Sequence, residues 1–183
     1  MAIIKINKFE AARRQVDAAI RMIFSAEDPV GVHTLAMAGF RILRDLASQH
    51  DDSYMEKVID LMIKPGKKAA FWGAMNSFSN FLKHADRDSA GIHDGVDEEV
   101  NDVTLFMACL YYQDLGHQFT PEMSALVGWF TALHPGFLFE NANPKFRAAA
   151  EAAGASIKAL SRREQLAFGK QLITLARNML ARS

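Results

Sequence analysis

Apolar residues recur along this chain at helical spacing, in blocks parted by proline, glycine and short polar runs. The most informative block covers residues 28–49, DPVGVHTLAMAGFRILRDLASQ. Wound at about 100° per residue, it sets Leu35, Ala36, Ala38, Gly39, Phe40, Ile42, Leu43, Leu46 and Ala47 around most of its circumference. His33, Thr34, Arg41, Arg44, Asp45 and Ser48 are left in one polar arc, roughly a third of the way round. A helix apolar over that width is covered by neighbours on several sides. The block is therefore expected to be the spine of an all-helical domain.

The flanking blocks read the same way. Asn7 is an N-cap for a first helix over about 7–25, with Phe9, Ala12, Val16, Ala19, Ile20 and Ile23 on its apolar face. Arg13, Arg14, Asp17 and Arg21 fall mostly on the other side. Asp28-Pro29, Thr120-Pro121 and Asn143-Pro144 each join a capping side chain to a proline, whose missing N–H has no partner to lose at the first helical position. Ser53 with Glu56, and Ser161 with Glu164, have capping-box spacing. Together these signals predict helices over about 53–64, 67–85, 96–115, 120–134, 143–154 and 161–180, the seventh stopped near Gly154. The fourth carries an apolar stripe of Phe71, Met75, Phe78 and Leu82, with Trp72, Asn76, Asn80, Lys83 and His84 opposite. In the fifth, VTLFMACLYY is apolar nearly all round and predicts a second buried spine. No segment alternates with period two over enough residues for a strand. Seven or eight helices with no long linker predict an all-α, single-domain helical bundle.

Composition narrows the class. A chain of 183 residues can bury a sizeable core as one domain. Twenty-one Lys and Arg balance 21 Asp and Glu, so no overall field draws nucleic acid, a membrane surface or an acidic substrate, and any nucleic-acid role falls to a local patch. Arg13, Arg14, Arg21 and Lys8, and Arg162, Arg163 and Lys170, are candidates for one, but interspersed acids favour solvated helix faces. The single Cys109 excludes an internal disulfide and reads as a small buried hydrophobe. The opening MAIIKI is too short for a signal peptide, and no run approaches the ~20 apolar residues of a membrane span. A cytoplasmic location without a membrane partner is expected. No glycine-rich phosphate loop, serine elbow or Cys-x-x-Cys is present, so no cofactor is expected.

The most informative short motif is Ser79-Asn80-Phe81-Leu82-Lys83-His84. It resembles the signature of the HEPN superfamily, helical-bundle domains common in prokaryotic toxin–antitoxin and defence systems. Ribonuclease members of that superfamily carry an arginine, a polar residue, three further positions and a histidine at a helix end. Asn80 matches the polar residue and His84 the histidine, whereas Ser79 stands where the arginine belongs. The resemblance therefore implies a degenerate, non-cleaving member. A looser match of the same kind is Arg44-Asp45 followed by His50, two side chains about 120° apart on an unbroken helix. A broader likeness is to bacterial proteins of this length with no established activity, through AARRQVDAAIR, DPVGVHTLAMAGFRILRDL and NFLKHADRD at residues 11–21, 28–46 and 80–88. It implies that His33, Arg44, Asn80, Lys83, His84, Asp86 and Asp88 belong to a shared pattern.

From the residues themselves, His33 and Arg44 on the spine and Asn80 and His84 on the fourth helix sit on the polar strips of otherwise apolar helices. Facing one another, those strips would close a pocket of two imidazoles, a guanidinium and an amide, suited to a phosphate or carboxylate or to acid–base work near neutral pH. Lys83 and Arg41 are further ligand-binding candidates there. A second site is the loop after His84, where Asp86, Asp88, Gly91, Asp94 and Asp97 occupy positions 1, 3, 6, 9 and 12 of a calcium-loop spacing. Ala90 at position 5 lacks a ligand oxygen. A transition-metal set of His84, Asp86, Asp88 and His93 has no helical His/Glu pair to support it. His50-Asp51 and His93-Asp94 lie in polar loops and do not make an HD-hydrolase site. Trp129-Phe130 and the turn Pro135-Gly136-Phe137-Leu138-Phe139 either enter the core or mark a partner surface.

The favoured reading is a non-catalytic or degenerate HEPN-like binding or regulatory module. It is expected to pair as a homodimer or to meet a protein partner through Phe137, Leu138 and Phe139. The enzymatic alternative is a ribonuclease-type or other phosphate-directed hydrolase using His84, His33 and Arg44. The third is metal binding over residues 84–97 through Asp86, Asp88 and His93.

Overall fold

The computed structural model describes residues 3–50, 53–63, 66–84, 86–87, 89–95, 97–137 and 143–181. Among these residues the chain forms eight α-helices and one 3-10 turn, with no strand. They are α1 (Lys8–Phe24), α2 (Pro29–Ala47), α3 (Tyr54–Met62), α4 (Lys68–Phe81), α5 (Glu99–Asp114), α6 (Pro121–Leu133), the 3-10 turn Pro135–Phe137, α7 (Pro144–Ile157) and α8 (Arg162–Leu180). No described helix is long and apolar enough to cross a membrane.

The expected caps form. Asn7 accepts from the Glu10 N–H at 2.7 Å, Asp28 from Val30 at 2.9 Å, Thr120 from Met123 at 3.2 Å and Asn143 from Lys145 at 2.9 Å. The Ser161 N–H and hydroxyl both donate to Glu164, at 2.9 and 2.6 Å. One cap is supplied from elsewhere: the Tyr54 and Met55 N–H groups at the start of α3 donate to Asp114, at the end of α5, at 3.0 and 3.3 Å. The Ser53 hydroxyl joins them at 2.7 Å. Thus α3 is tied to the core by a tertiary contact where the sequence suggested a local capping box.

The core is built around α2, which packs on α1 along one side and on α5 along another. Its close approach to α1 depends on Gly39, where a Cβ would lie 2.7 Å from Val16 Cγ2 and 3.1 Å from the Ala12 carbonyl oxygen. A second layer places α6 against α7 and α8. Trp129 and Phe130 are fully buried there, so they belong to the core and not to a partner surface. The Trp129 Nε1–H donates to the Gln165 carbonyl at 2.9 Å, and Phe24 meets the Trp129 ring edge-on at 5.4 Å. Charged side chains stitch the layers together. Arg162 grips Asp102 with two bonds of 2.8 Å, Glu122 accepts from Arg21 and Arg177, and buried Asp17 accepts from the Thr120 hydroxyl at 2.7 Å. Asp17 is thus an inward residue of α1, contrary to its expected place on the solvated side.

Three boundaries differ from the sequence expectation by three or four residues, one of them the start of α5, at Glu99 in place of about 96. The fourth helix ends at Phe81 with Leu82 as its C-cap, so Lys83 and His84 stand in the turn beyond it. The seventh continues past Gly154 to Ile157. Gly154 is there for proximity: a Cβ on it would come 2.2 Å from the Ala132 carbonyl oxygen of α6. Replacing it should separate those helices, whereas Gly73 in α4 has open space around it. Gly154→Ala should lower unfolding stability by about 1–3 kcal/mol. Gly73→Ala should raise it by up to ~1 kcal/mol. Urea midpoints moving in opposite directions would check both.

Candidate functional site

The polar arc of α2 runs from a buried end at His33 to an open end at Asp45 and Ser48, and α4 lies across it. At the buried end His33 is 1 % exposed. Its Nδ1 lies 2.8 Å from Asn101 Oδ1, and the Asn101 amide donates in turn to the Pro29 carbonyl at 3.1 Å. That second bond turns the amide oxygen toward the imidazole, so Nδ1 carries the proton and donates. The lone pair on Nε2 is then enclosed without a hydrogen-bond partner among the described residues. Burial holds the His33 pKa below its ordinary 6.5, and the positive charges of Arg41 and Lys83 add to that effect.

Two turns further along α2, Arg41 reaches α4. Its Nε and Nη2 donate to Asn76 Oδ1 at 3.0 and 2.6 Å, and Nη2 also donates to Asn80 Oδ1 at 3.1 Å. The Asn76 amide donates to the Trp72 carbonyl at 2.7 Å, which fixes its oxygen toward the guanidinium. Burial and the neighbouring Arg44 hold the Arg41 pKa down, and burial with Arg41 does the same for Lys83. These two cations have no carboxylate within ion-pair distance among the described residues. Arg44 is engaged otherwise: it binds Asp45 at 2.8 Å and lies over the Trp72 ring at 4.9 Å. Trp72 and Asn76, on the polar strip of α4, therefore face α2.

The structure brings together His33, Arg41, Asn80 and Lys83, and leaves His84 apart. His84 stands in the turn with Nδ1 3.8 Å from Asp86, and no contact among the described residues joins it to His33. Phe78 links His33 to a different imidazole, that of His93: both rings meet Phe78 edge-on, at 5.1 and 5.0 Å. His93 takes the Gly95 N–H on Nδ1 at 3.2 Å and faces Ser77 with Nε2 at 3.4 Å. Among the described residues no three His, Cys, Asp or Glu side chains converge to hold a metal ion. Asp88, and Leu138 and Phe139 of the expected partner surface, lie outside the described residues. Phe137 is half-exposed and packs on Phe106 and Phe130 at 6.2 and 5.3 Å. Cys109 is fully buried, and that burial pushes its thiol pKa up. His50 follows α2 in a turn, its N–H bonded to the Ala47 carbonyl, so it does not share an unbroken helix with Arg44.

Three site residues escaped the sequence reading. Asn101 lies on the stripe of Leu105, Ala108 and Tyr112, all buried, and a polar side chain on that stripe is the signal that was present. Asn76 stood on the polar strip of α4 beside Asn80 but was not singled out as a site residue. Ser79 is 1 % exposed with an unpartnered hydroxyl, so the position matching the superfamily's arginine points into the bundle. The chain matches no family model, no curated protein and no solved structure.

The depressed His33 pKa has a signed consequence. Its contribution to stability is complete above pH 6.5 and is lost as pH falls below that value, because the unfolded chain binds the proton more readily. Asp102 runs the other way. Burial raises its carboxyl to about 6 from 3.8, so its contribution is present below 3.8 and lost as pH rises through about 6. Unfolding free energies of the wild type and His33→Phe separate the two gradients. The difference between them should shrink as pH falls from 7.5 to 5.

Proposed function

We propose that this protein is a non-cleaving binding module that takes a phosphate-like anionic group at the α2–α4 seam. This is the degenerate HEPN-like reading, and a cytoplasmic setting is part of it. The observation that carries it is Arg41 held by amides at the seam, close enough to Lys83 for its charge to act there, with no carboxylate within ion-pair distance of either among the described residues and with Asp45 as the acid acting on Arg41. Burial and the Arg41 charge lower the Lys83 pKa, burial and Arg44 lower that of Arg41, and a bound anion would relieve that repulsion. The geometry supports a role for each group. Asn76 and Asn80 hold one edge of the Arg41 guanidinium, leaving Nη1 to donate outward. The Asn80 oxygen is committed to Arg41, so its amide N–H groups face away as donors. Lys83 Nζ supplies the second charge. His33, enclosed and neutral, anchors the seam to α5 and does not touch the ligand.

The hydrolase alternative would need a histidine able to exchange a proton with the substrate. His84 is the one with access, since it is partly exposed in the turn.

Titration with inorganic phosphate and pyrophosphate, followed through the Asn80 amide and Arg41 Nε resonances, tests the binding. Both signals should shift saturably, and Arg41→Ala and Lys83→Ala should each weaken binding about tenfold, equivalent to ~1.4 kcal/mol. The affinity should fall with added salt. Unshifted resonances would remove the anion site. Cleavage of mixed RNA by wild type but not by His84→Ala would replace this reading with the nuclease one.

A further inference from the structure

Away from the seam, α3 and α4 are held to the bundle on separate sides, α3 by α5 and α4 by α2. Between them and α5 lies a cleft of about 520 Å³. Met55 and Ile59 of α3, Phe71 of α4, Phe106 and Met107 of α5, and Phe137 of the 3-10 turn supply its apolar walls. Among the described lining residues Lys67, which leads into α4, carries the only charge. Its carbonyl accepts from the Phe71 N–H at 2.9 Å, but the Lys67 ammonium has no ion-pair or hydrogen-bond partner among the described residues. A second hollow of about 490 Å³ shares Phe106, Leu110 and Phe137 with it as lining.

We propose that this cleft binds a medium- or long-chain acyl carboxylate, with the hydrocarbon between α3, α4 and α5 and the carboxylate at Lys67. This inference is independent of the seam. Four physical arguments carry it. The volume falls within the range of small-molecule pockets, roughly 300–1,000 Å³. One turn of a partner helix, about 10 Å across and 5.4 Å long, already fills ~420 Å³, so the cleft suits a flexible chain better than a docked helix. Its walls offer almost nothing to hydrogen-bond, which excludes a polar ligand body and leaves apolar burial as the driving force. The single cation then selects the sign of the head group. Methionine in two of the three helical walls lets the lining adapt to chain length.

The test uses the full chain with octanoate, decanoate and dodecanoate, read by calorimetry, with dodecyltrimethylammonium as the charge-reversed probe. Each two-carbon step should tighten binding about tenfold. The ammonium probe should bind at least tenfold more weakly than dodecanoate. Lys67→Glu should reverse that preference, and because Lys67 lies at the surface the variant should keep its melting temperature. Met107→Trp should fill the cleft and weaken all three carboxylates together. Affinity independent of chain length, or a Lys67→Glu variant with unchanged preference, would overturn the proposal. So would sedimentation showing a stable dimer that blocks dodecanoate, since a second copy would then be the occupant.

Discussion

Everything chemical in this fold depends on how deeply α2 is buried. Gly39 lets α1 come close enough for Val16 and Ala12 to touch the α2 backbone, and α5 covers another side. A helix enclosed that way can keep polar groups only along one arc, and each must be paired or reach water. His33 lies at the enclosed end and needs Asn101. Arg41 lies eight residues further on, about 12 Å along the axis, where the arc is emerging and α4 crosses it. Asp45 and Ser48 are already in solvent. The seam thus arises where a polar strip passes from core to surface beneath a crossing helix.

The charge distribution gives that seam its character. Several arginines elsewhere are matched: Arg13 and Arg14 by Glu10, Arg21 and Arg177 by Glu122, Arg162 by Asp102. The Asp102–Arg162 pair shows what matching costs in the interior. Its geometry is bidentate at 2.8 Å, yet burial still lifts the Asp102 carboxyl to about 6. Desolvation outweighs the attraction in setting that carboxyl, and the pair ties α8 to α5. Arg41 has been given amides where those residues have carboxylates. A zero net charge over the chain therefore conceals a local excess of positive charge.

Much of the fold was legible because the signals were local. Capping side chains followed by proline mark the starts of α2, α6 and α7, and each depends only on neighbours within one turn. The two apolar spines were legible from periodicity. What stayed hidden was tertiary. Ser53 and Glu56 have capping-box spacing, yet Asp114 from another helix supplies the cap. Gly154 has the look of a helix stop, and only the approach of Ala132 shows that it serves contact. The end of α4 was misplaced because residues 82–87, LKHADR, contain neither glycine nor proline to mark it. That shift moved His84 off the helix and out of the expected pocket. Periodicity grouped Trp72 with Asn76 correctly, but it carries no information about which face meets α2.

The same helix that makes the seam also walls the cleft. Trp72, Asn76 and Asn80 face α2, while Ala70 and Phe71 line the space toward α3 and α5. Neighbours 71 and 72 differ by about 100° around the axis, so α4 presents opposite duties on adjacent residues. Its packing on the bundle is thin compared with that of α1, α2 or α5. A rotation of α4 that brought Phe71 closer to α5 would carry Asn76 and Asn80 with it and alter their hold on Arg41. Were ligands bound at both places and α4 displaced by either, the shared wall would link them, and by reciprocity each would change the affinity of the other by the same factor. The size of that factor depends on how differently a ligand binds the two positions of α4, not on how tightly it binds either.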